Sequence, residues 1–179
     1  GTVDNLTGKG VLIEAGKSSF LNGDITIKGL PDIDKTFIDF HSNDFRTTYA
    51  DAIALIPVLK TIREPRLDRL EYLRFKGNYT GFINDFVTYG NISTNLGNIV
   101  ADINMKLPEN KPATYSGKIS SAGFKLGQFI NSNAIGNIAL DGNIIGSGFA
   151  LKNLNATFKG NIHQLEANNY NYTNIIIDG

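Results

Sequence analysis

One short phrase keeps returning in this chain: an apolar residue, a spacer, Gly, a polar residue, then Ile or Tyr. It occurs as Leu21-Asn22-Gly23-Asp24-Ile25, Phe75-Lys76-Gly77-Asn78-Tyr79 and Tyr115-Ser116-Gly117-Lys118-Ile119. It returns as Leu140-Asp141-Gly142-Asn143-Ile144 and Phe158-Lys159-Gly160-Asn161-Ile162. The spacings are 54, 40, 25 and 18 residues. That irregularity argues against a β-solenoid adhesin, whose coils need a fixed period. A chain that repeats one strand phrase unevenly builds a long sheet, and its function is expected in the surface of that sheet. The glycines are expected where the sheet bends, with their apolar neighbours inside the crease.

Composition supports strands and tight turns. Among 179 residues there are 22 Ile, 21 Asn and 19 Gly. Ile fits a pleated surface, whereas Gly and Asn tolerate the backbone angles of turns. Charge is balanced at 17 basic and 17 acidic residues, so no basic footprint for nucleic acid is present. The absence of Cys excludes disulfides, thiolate metal sites and cysteine nucleophiles. No secretory signal is read at Gly1-Thr2-Val3-Asp4-Asn5, and no apolar run approaches the roughly 20 residues of a spanning helix. Beginning without Met, the chain reads as a slice of a longer protein.

Strand periodicity is clearest over Asn98–Leu107, where Ile99, Ala101, Ile103, Met105 and Leu107 alternate with mostly polar residues. Gly97-Asn98 separates this run from Asn91–Asn95 and predicts a hairpin. Shorter alternations pair Ile25 with Ile27, Ile138 with Leu140, and Tyr170 with Tyr172; Leu154, Ala156 and Phe158 form another. Turns are expected at Tyr89-Gly90-Asn91, Ala122-Gly123, Asp141-Gly142-Asn143 and Gly146-Ser147-Gly148, and a polar loop at Glu109-Asn110-Lys111 between Pro108 and Pro112. From Leu30 to Lys76 there is no Gly at all. Inside this gap, Thr48 and Asp51 have capping-box spacing, and Ala52, Ile53, Leu55 and Ile56 supply a short apolar face. Pro57 limits the helix to about two turns. The charged stretch onward to Leu70, including Arg63, Glu64 and Arg66, reads as a second helical turn and a connection. The helical insert therefore spans 46–70, and it needs a sheet surface to cover, such as an end or mouth.

No residues assemble into a reactive site. His41 and His163 lie far apart in strand-like runs and read as ordinary polar-face residues, without the clustering a metal requires. No nucleophile elbow or phosphate loop is present. Asp85, Asp102, Asp141 and Glu166 carry no pairing signal for acid–base work. The five Asn-x-Ser/Thr triplets, at Asn5, Asn78, Asn91, Asn155 and Asn171, are expected by chance in so Asn-rich a chain. The apolar strand faces remain. They are aliphatic, with few large aromatics, and a single helix to cover them; either a second layer packs on them or they line a groove.

The stretch Phe75 to Gly90, continued through Thr94, Leu96-Gly97 and the alternating strand to Leu107, resembles the C-terminal domain of TamB-like proteins. Gly29-Leu30-Pro31-Asp32, Arg46-Thr47-Thr48 with Asp51, Tyr115-Ser116-Gly117 and Phe124-Lys125-Leu126-Gly127 are similar to the same family. So are Gly146-Ser147-Gly148-Phe149 and Tyr170-Asn171-Tyr172, in an order that covers the chain from about residue 20 onward. The resemblance implies membership of the AsmA-related envelope proteins: long chains anchored in the inner membrane of Gram-negative bacteria and extended through the periplasm. It implies a greasy folded-over sheet that carries phospholipid toward the outer membrane, and a tie to outer-membrane protein assembly through a barrel partner of the TamA type. It implies no catalytic residues and no cofactor.

These readings converge on a mostly β fold: an elongated, folded-over, β-taco-like groove of many antiparallel, meandering strands with one short α-helical insert. Residues 1–179 form a single groove segment. Roughly a dozen strands about 4.8 Å apart give a trough on the order of 55–60 Å long. The residues expected to face the lipid groove are Ile25, Ile27, Ile99, Ala101, Ile103, Met105, Ile138, Leu140, Leu154, Ala156 and Phe158. The expected ligands are phospholipid acyl chains, with no enzyme activity, metal or cofactor, and the expected location is the periplasm. The alternative is a scaffold whose open edges pair with strands of an outer-membrane protein or barrel partner by β-augmentation.

Overall fold

A computed structural model describes residues 4–63, 65–109, 111–149 and 152–178. Residues 1–3 of the opening, Glu64 of the charged connection and Asn110 of the polar loop lie outside the described residues. The fold is 65% strand, in one open antiparallel sheet of ten strands that does not close into a barrel. The strands are β1 (Asn5–Ala15), β2 (Ser19–Lys28), β3 (Phe37–Thr48), β4 (Tyr72–Phe82) and β5 (Asp85–Thr94). Then follow β6 (Gly97–Lys106), β7 (Thr114–Phe124), β8 (Ile135–Ser147), β9 (Asn155–Ala167) and β10 (Tyr170–Asp178). Their spatial order is their chain order. Ten strands rather than a dozen shorten the stack to about 43 Å.

Register decides which residues share a face, because directly opposed residues project to the same side. Starting from Ile99, Ala101, Ile103 and Met105 of β6, one inner face can be followed outward. Toward the amino terminus it takes Phe86, Thr88, Gly90 and Ile92 of β5, and Phe75, Gly77, Tyr79 and Gly81 of β4. It continues through Ile38, Phe40 and Phe45 of β3 and Leu21, Ile25 and Ile27 of β2 to Leu6 and Ile13 of β1. Toward the carboxyl terminus it takes Tyr115, Ile119 and Phe124 of β7, and Ile138, Leu140 and Ile144 of β8. It ends on Phe158, Ile162 and Leu165 of β9 and Tyr172, Ile175 and Ile177 of β10.

The recurring glycines lie on this face, and all but Gly117 lie in one line across it. Gly23, Ser42, Gly77, Gly90, Ala101, Ile119, Gly142 and Gly160 are consecutive cross-strand partners from β2 to β9, and only Ile119 is large. Gly90 and Gly142 therefore do not mark turns, as their flanking polar residues suggest; both lie within strands. Backbone approach explains why side chains are excluded here. A Cβ on Gly77 would sit 2.6 Å from the Gly90 Cα, and one on Gly160 would sit 2.5 Å from the Gly142 Cα. Gly77 and Gly160 also hold φ of +153° and +158°, which L side chains rarely adopt. The line is a seam of close backbone approach, at the glycines expected to mark a crease.

Among the described residues two α-helices are present where one is expected. α1 (Tyr49–Leu55) begins at Thr48, whose hydroxyl accepts from the Asp51 N–H at 3.2 Å, and it stops at Ile56 before Pro57. The residues 46–48 assigned to the insert are the end of β3. The insert proper continues through 3-10 turns at Pro57–Thr61 and Leu67–Arg69. α2 (Leu126–Ile130) is a five-residue helix between β7 and β8, ended by Asn131 at φ 57°. The predicted hairpin between β5 and β6 exists, but its turn is Asn95-Leu96, two residues before Gly97-Asn98.

Candidate functional site

The inner face carries few free polar atoms. Its two well-covered tyrosines spend their hydroxyls on backbone: Tyr79 donates to the Phe82 carbonyl at 2.8 Å, and Tyr115 to the Gly148 carbonyl at 3.1 Å. Burial pushes both phenols above their ordinary pKa, so they stay neutral. Ser42 donates to the Phe75 carbonyl at 2.9 Å and Thr88 to the Asn78 carbonyl at 3.1 Å. Thr94 and Ser121 likewise donate to the Gly97 and Asn98 carbonyls, and most of the rest of the face is hydrocarbon.

Of the eleven groove residues expected from sequence, ten share this face by register. Ala101 and Ile138 are buried, and Ile25, Ile27, Ile99, Ile103, Met105, Leu140 and Phe158 are half-buried. Ala156 is on the face but exposed at the start of β9. Leu154 is the correction: it precedes β9 in the connecting loop and is 41% exposed. The alternation Leu154, Ala156, Phe158 runs past the true start of the strand, because nothing in the sequence marks that start.

The chain itself covers part of the face. The insert leaves β3 at the end of the sheet that holds the β5–β6 turn, yet Thr61, Ile62 and Arg63 border the same cavity as Ile83, Leu107 and Pro112 at the opposite end. The insert thus crosses the inner side of the sheet lengthwise, where sequence placed it at one mouth. It is held in three places. At its start the Asp51 carboxylate accepts from the β1–β2 turn: the Ser18 N–H at 2.7 Å, the Lys17 N–H at 3.1 and 3.2 Å and the Ser19 hydroxyl at 3.3 Å. These bonds, from Ser18 first and Lys17 second, hold its pKa below the usual carboxylate range despite its burial. In the middle the Arg66 N–H donates to the Phe129 carbonyl of α2 at 3.3 Å. At its exit Asn95 bridges the Glu71 N–H at 2.9 Å and the Arg69 carbonyl at 3.0 Å, while Leu70 packs on the core.

That core is Leu96, Phe124, Ile138 and Ile162, with Leu126 and Phe129 of α2 laid against it. An aromatic ladder runs on from it. Phe124 meets Phe129 at 5.6 Å, Phe129 meets Phe149 at 6.1 Å, and Phe149 stacks on Tyr115 at 4.9 Å. Sequence reasoning missed Leu96, 2% exposed although it sits in a turn, and the ladder, whose members are far apart in the chain.

Two cavities of about 680 Å³ each remain beside the insert. They share Ile62, Arg63 and Phe149, so they adjoin. Organic ligand sites fall in the range of about 300–1,000 Å³.

The histidines are on the other face, in polar pairs. His41 Nδ1 lies 2.6 Å from Asn78 Oδ1, and His163 Nε2 lies 2.5 Å from Asp141 Oδ1. Among the described residues no cluster of three or more His, Asp or Glu could hold a metal, and no helix is long and apolar enough to cross a membrane. No protein-family model, no curated protein and no solved structure matches this chain.

Proposed function

We propose that this chain is a groove-forming segment of a periplasmic lipid carrier, within a longer inner-membrane-anchored envelope protein of the TamB-like kind. It shelters phospholipid acyl chains as they pass between inner and outer membranes, and it supports outer-membrane protein assembly with a barrel partner of the TamA type. It performs no catalysis. One observation carries the reading: an apolar face continuous in register over ten strands of a sheet that stays open. Acyl chains need apolar surface without direction, worth about 25 cal/mol per Å² buried. A face without fixed polar partners lets a chain slide, whereas a tailored pocket holds it.

Photo-crosslinkers at Ile103 and Leu140, on the inner face, are compared in the cell envelope with Val100 and Ile145, exposed on the outer face. The expected result is lipid adducts from the inner pair alone. Equal capture by the outer pair would remove the groove reading. The double variant Ile103→Arg/Leu140→Arg, with its fold confirmed by circular dichroism, is expected to lose envelope integrity.

A second reading has its own observation. β1 is interrupted by a bulge at Gly8/Val11 and carries Lys9 and Glu14, devices that blunt an edge. β10 pairs with β9 without a register shift, its only charge is Asp178, and Asn174 at φ 55° is its one irregularity. Such an edge can accept a partner strand. The variant Asn171→Pro/Thr173→Pro separates the readings: binding of an outer-membrane protein strand is lost, with lipid capture intact, only if the edge is the docking site.

A further inference from the structure

We infer that the cavity between the insert and α2 is a head-group site for an anionic, phosphate-bearing lipid, whose acyl chain lies in the adjoining cavity. The inference rests on the lipid-carrying reading above and names the lipid class. The two cavities are alike in volume and unlike in charge. In the one toward the β6–β7 loop, Asp34 and Glu109 are offset by Arg63 and Lys111. Among the described residues of the other, Lys60, Arg63, Arg66 and Lys152 face a single carboxylate, Asp68. That carboxylate is already engaged by Arg66, at 2.8 Å from Nε and 2.7 Å from a terminal nitrogen. Lys60, Arg63 and Lys152 have no ion pair among the described residues.

In a chain of zero net charge, three cations without an ion pair among the described residues, one of them (Arg63) shared with the first cavity, are a local concentration. They repel one another until an anion joins them, and Arg and Lys are the natural partners of phosphate oxygens. The same lining includes the hydrocarbon of Ile62, Phe129 and Phe149. Arg63 and Phe149 border both cavities, so a head group at Arg63 can send its chain past Phe149 toward Leu107. Free phosphate would use the cations and leave the apolar wall unused. A neutral amphiphile would do the reverse. An anionic lipid uses both.

The test titrates the full chain, by calorimetry below micelle concentration, with dodecyl phosphate, neutral dodecyl maltoside and inorganic phosphate. Charge-assisted bonds predict dodecyl phosphate binding about tenfold or more tighter than the maltoside. In the triple variant Lys60→Gln/Arg63→Gln/Lys152→Gln, all exposed positions, that preference is expected to collapse to about twofold. Equal affinity for the two amphiphiles, or a preference unchanged in the variant, overturns the head-group site and leaves chain carriage standing. Inorganic phosphate binding as tightly as dodecyl phosphate overturns the lipid assignment. If neither amphiphile binds, the lipid-carrying reading itself fails.

Discussion

The two halves of the sheet carry the same apolar face in register, yet the packed cluster of buried side chains lies in one of them, while the other buries Phe40 of β3. In β6–β10, Phe124, Ile138 and Ile162 are buried together with Leu96, because Leu126 and Phe129 of α2 and Leu70 of the insert lie on them. In β1, Leu6 and Ile13 face the same way and stay 45% and 44% exposed. Register aligns a face, but a covering layer is what removes it from water. The insert is held accordingly: by hydrogen bonds to a carboxylate where it meets the amino-terminal half, and by hydrocarbon together with hydrogen bonds to Phe129 and Asn95 where it meets the other half.

The largest test of this contrast is Leu96→Ala. Truncation in the covered core is expected to cost about 2–5 kcal/mol, read as a fall in Tm of about 2–4 °C per kcal/mol. A shift no larger than that of a surface variant would mean the turn residue is not the keystone of that half. Next comes Gly160→Ala in the seam, where strained backbone adds about 1–3 kcal/mol before any clash with Gly142. A fully folded, equally stable Gly160→Ala protein would show that the close approach of β8 and β9 does not depend on glycine there.

Asp51→Asn acts more locally. It is expected to raise amide exchange over 49–56 while leaving the β6–β10 core protected. Acid does the same reversibly. The folded carboxyl has a depressed pKa, so its contribution is present above about pH 4 and is lost as pH falls through the depressed value. Exchange at Lys17 and Ser18 that ignores pH across this window contradicts the anchor. The smallest effect is expected for Leu6→Ser/Ile13→Ser, within about 0.5 kcal/mol per site. A large loss there would reveal that the uncovered half is packed after all.

Much of this was legible from residues. The alternation from Ile99 to Met105 placed β6 within one residue, and Thr48 before an apolar run placed α1 at its observed start. Period two also picked out eleven residues, ten of which register places on one face. The failures have physical causes. Gly90 and Gly142 carry turn-forming neighbours, and only the position of the partner strand shows that they sit mid-strand. Asp51 has the spacing of a capping residue, but its side chain turns to the β1–β2 hairpin, a long-range choice that local spacing cannot contain. α2 is too short for helical periodicity and has Gly127 inside it. The charge contrast between the cavities joins residues from 34 to 153, which only the fold brings together.

Each strand of this sheet touches as its neighbours the strands before and after it in the chain, and no connection crosses another. Such a sheet can assemble in the order its residues emerge, one hairpin at a time, without waiting for a distant segment to be made. It can also gain or lose a whole hairpin without rerouting the remainder, much as a repeat array does. Length is then a quantity that duplication can adjust freely, and the span such a protein must cover can set how many strands it keeps.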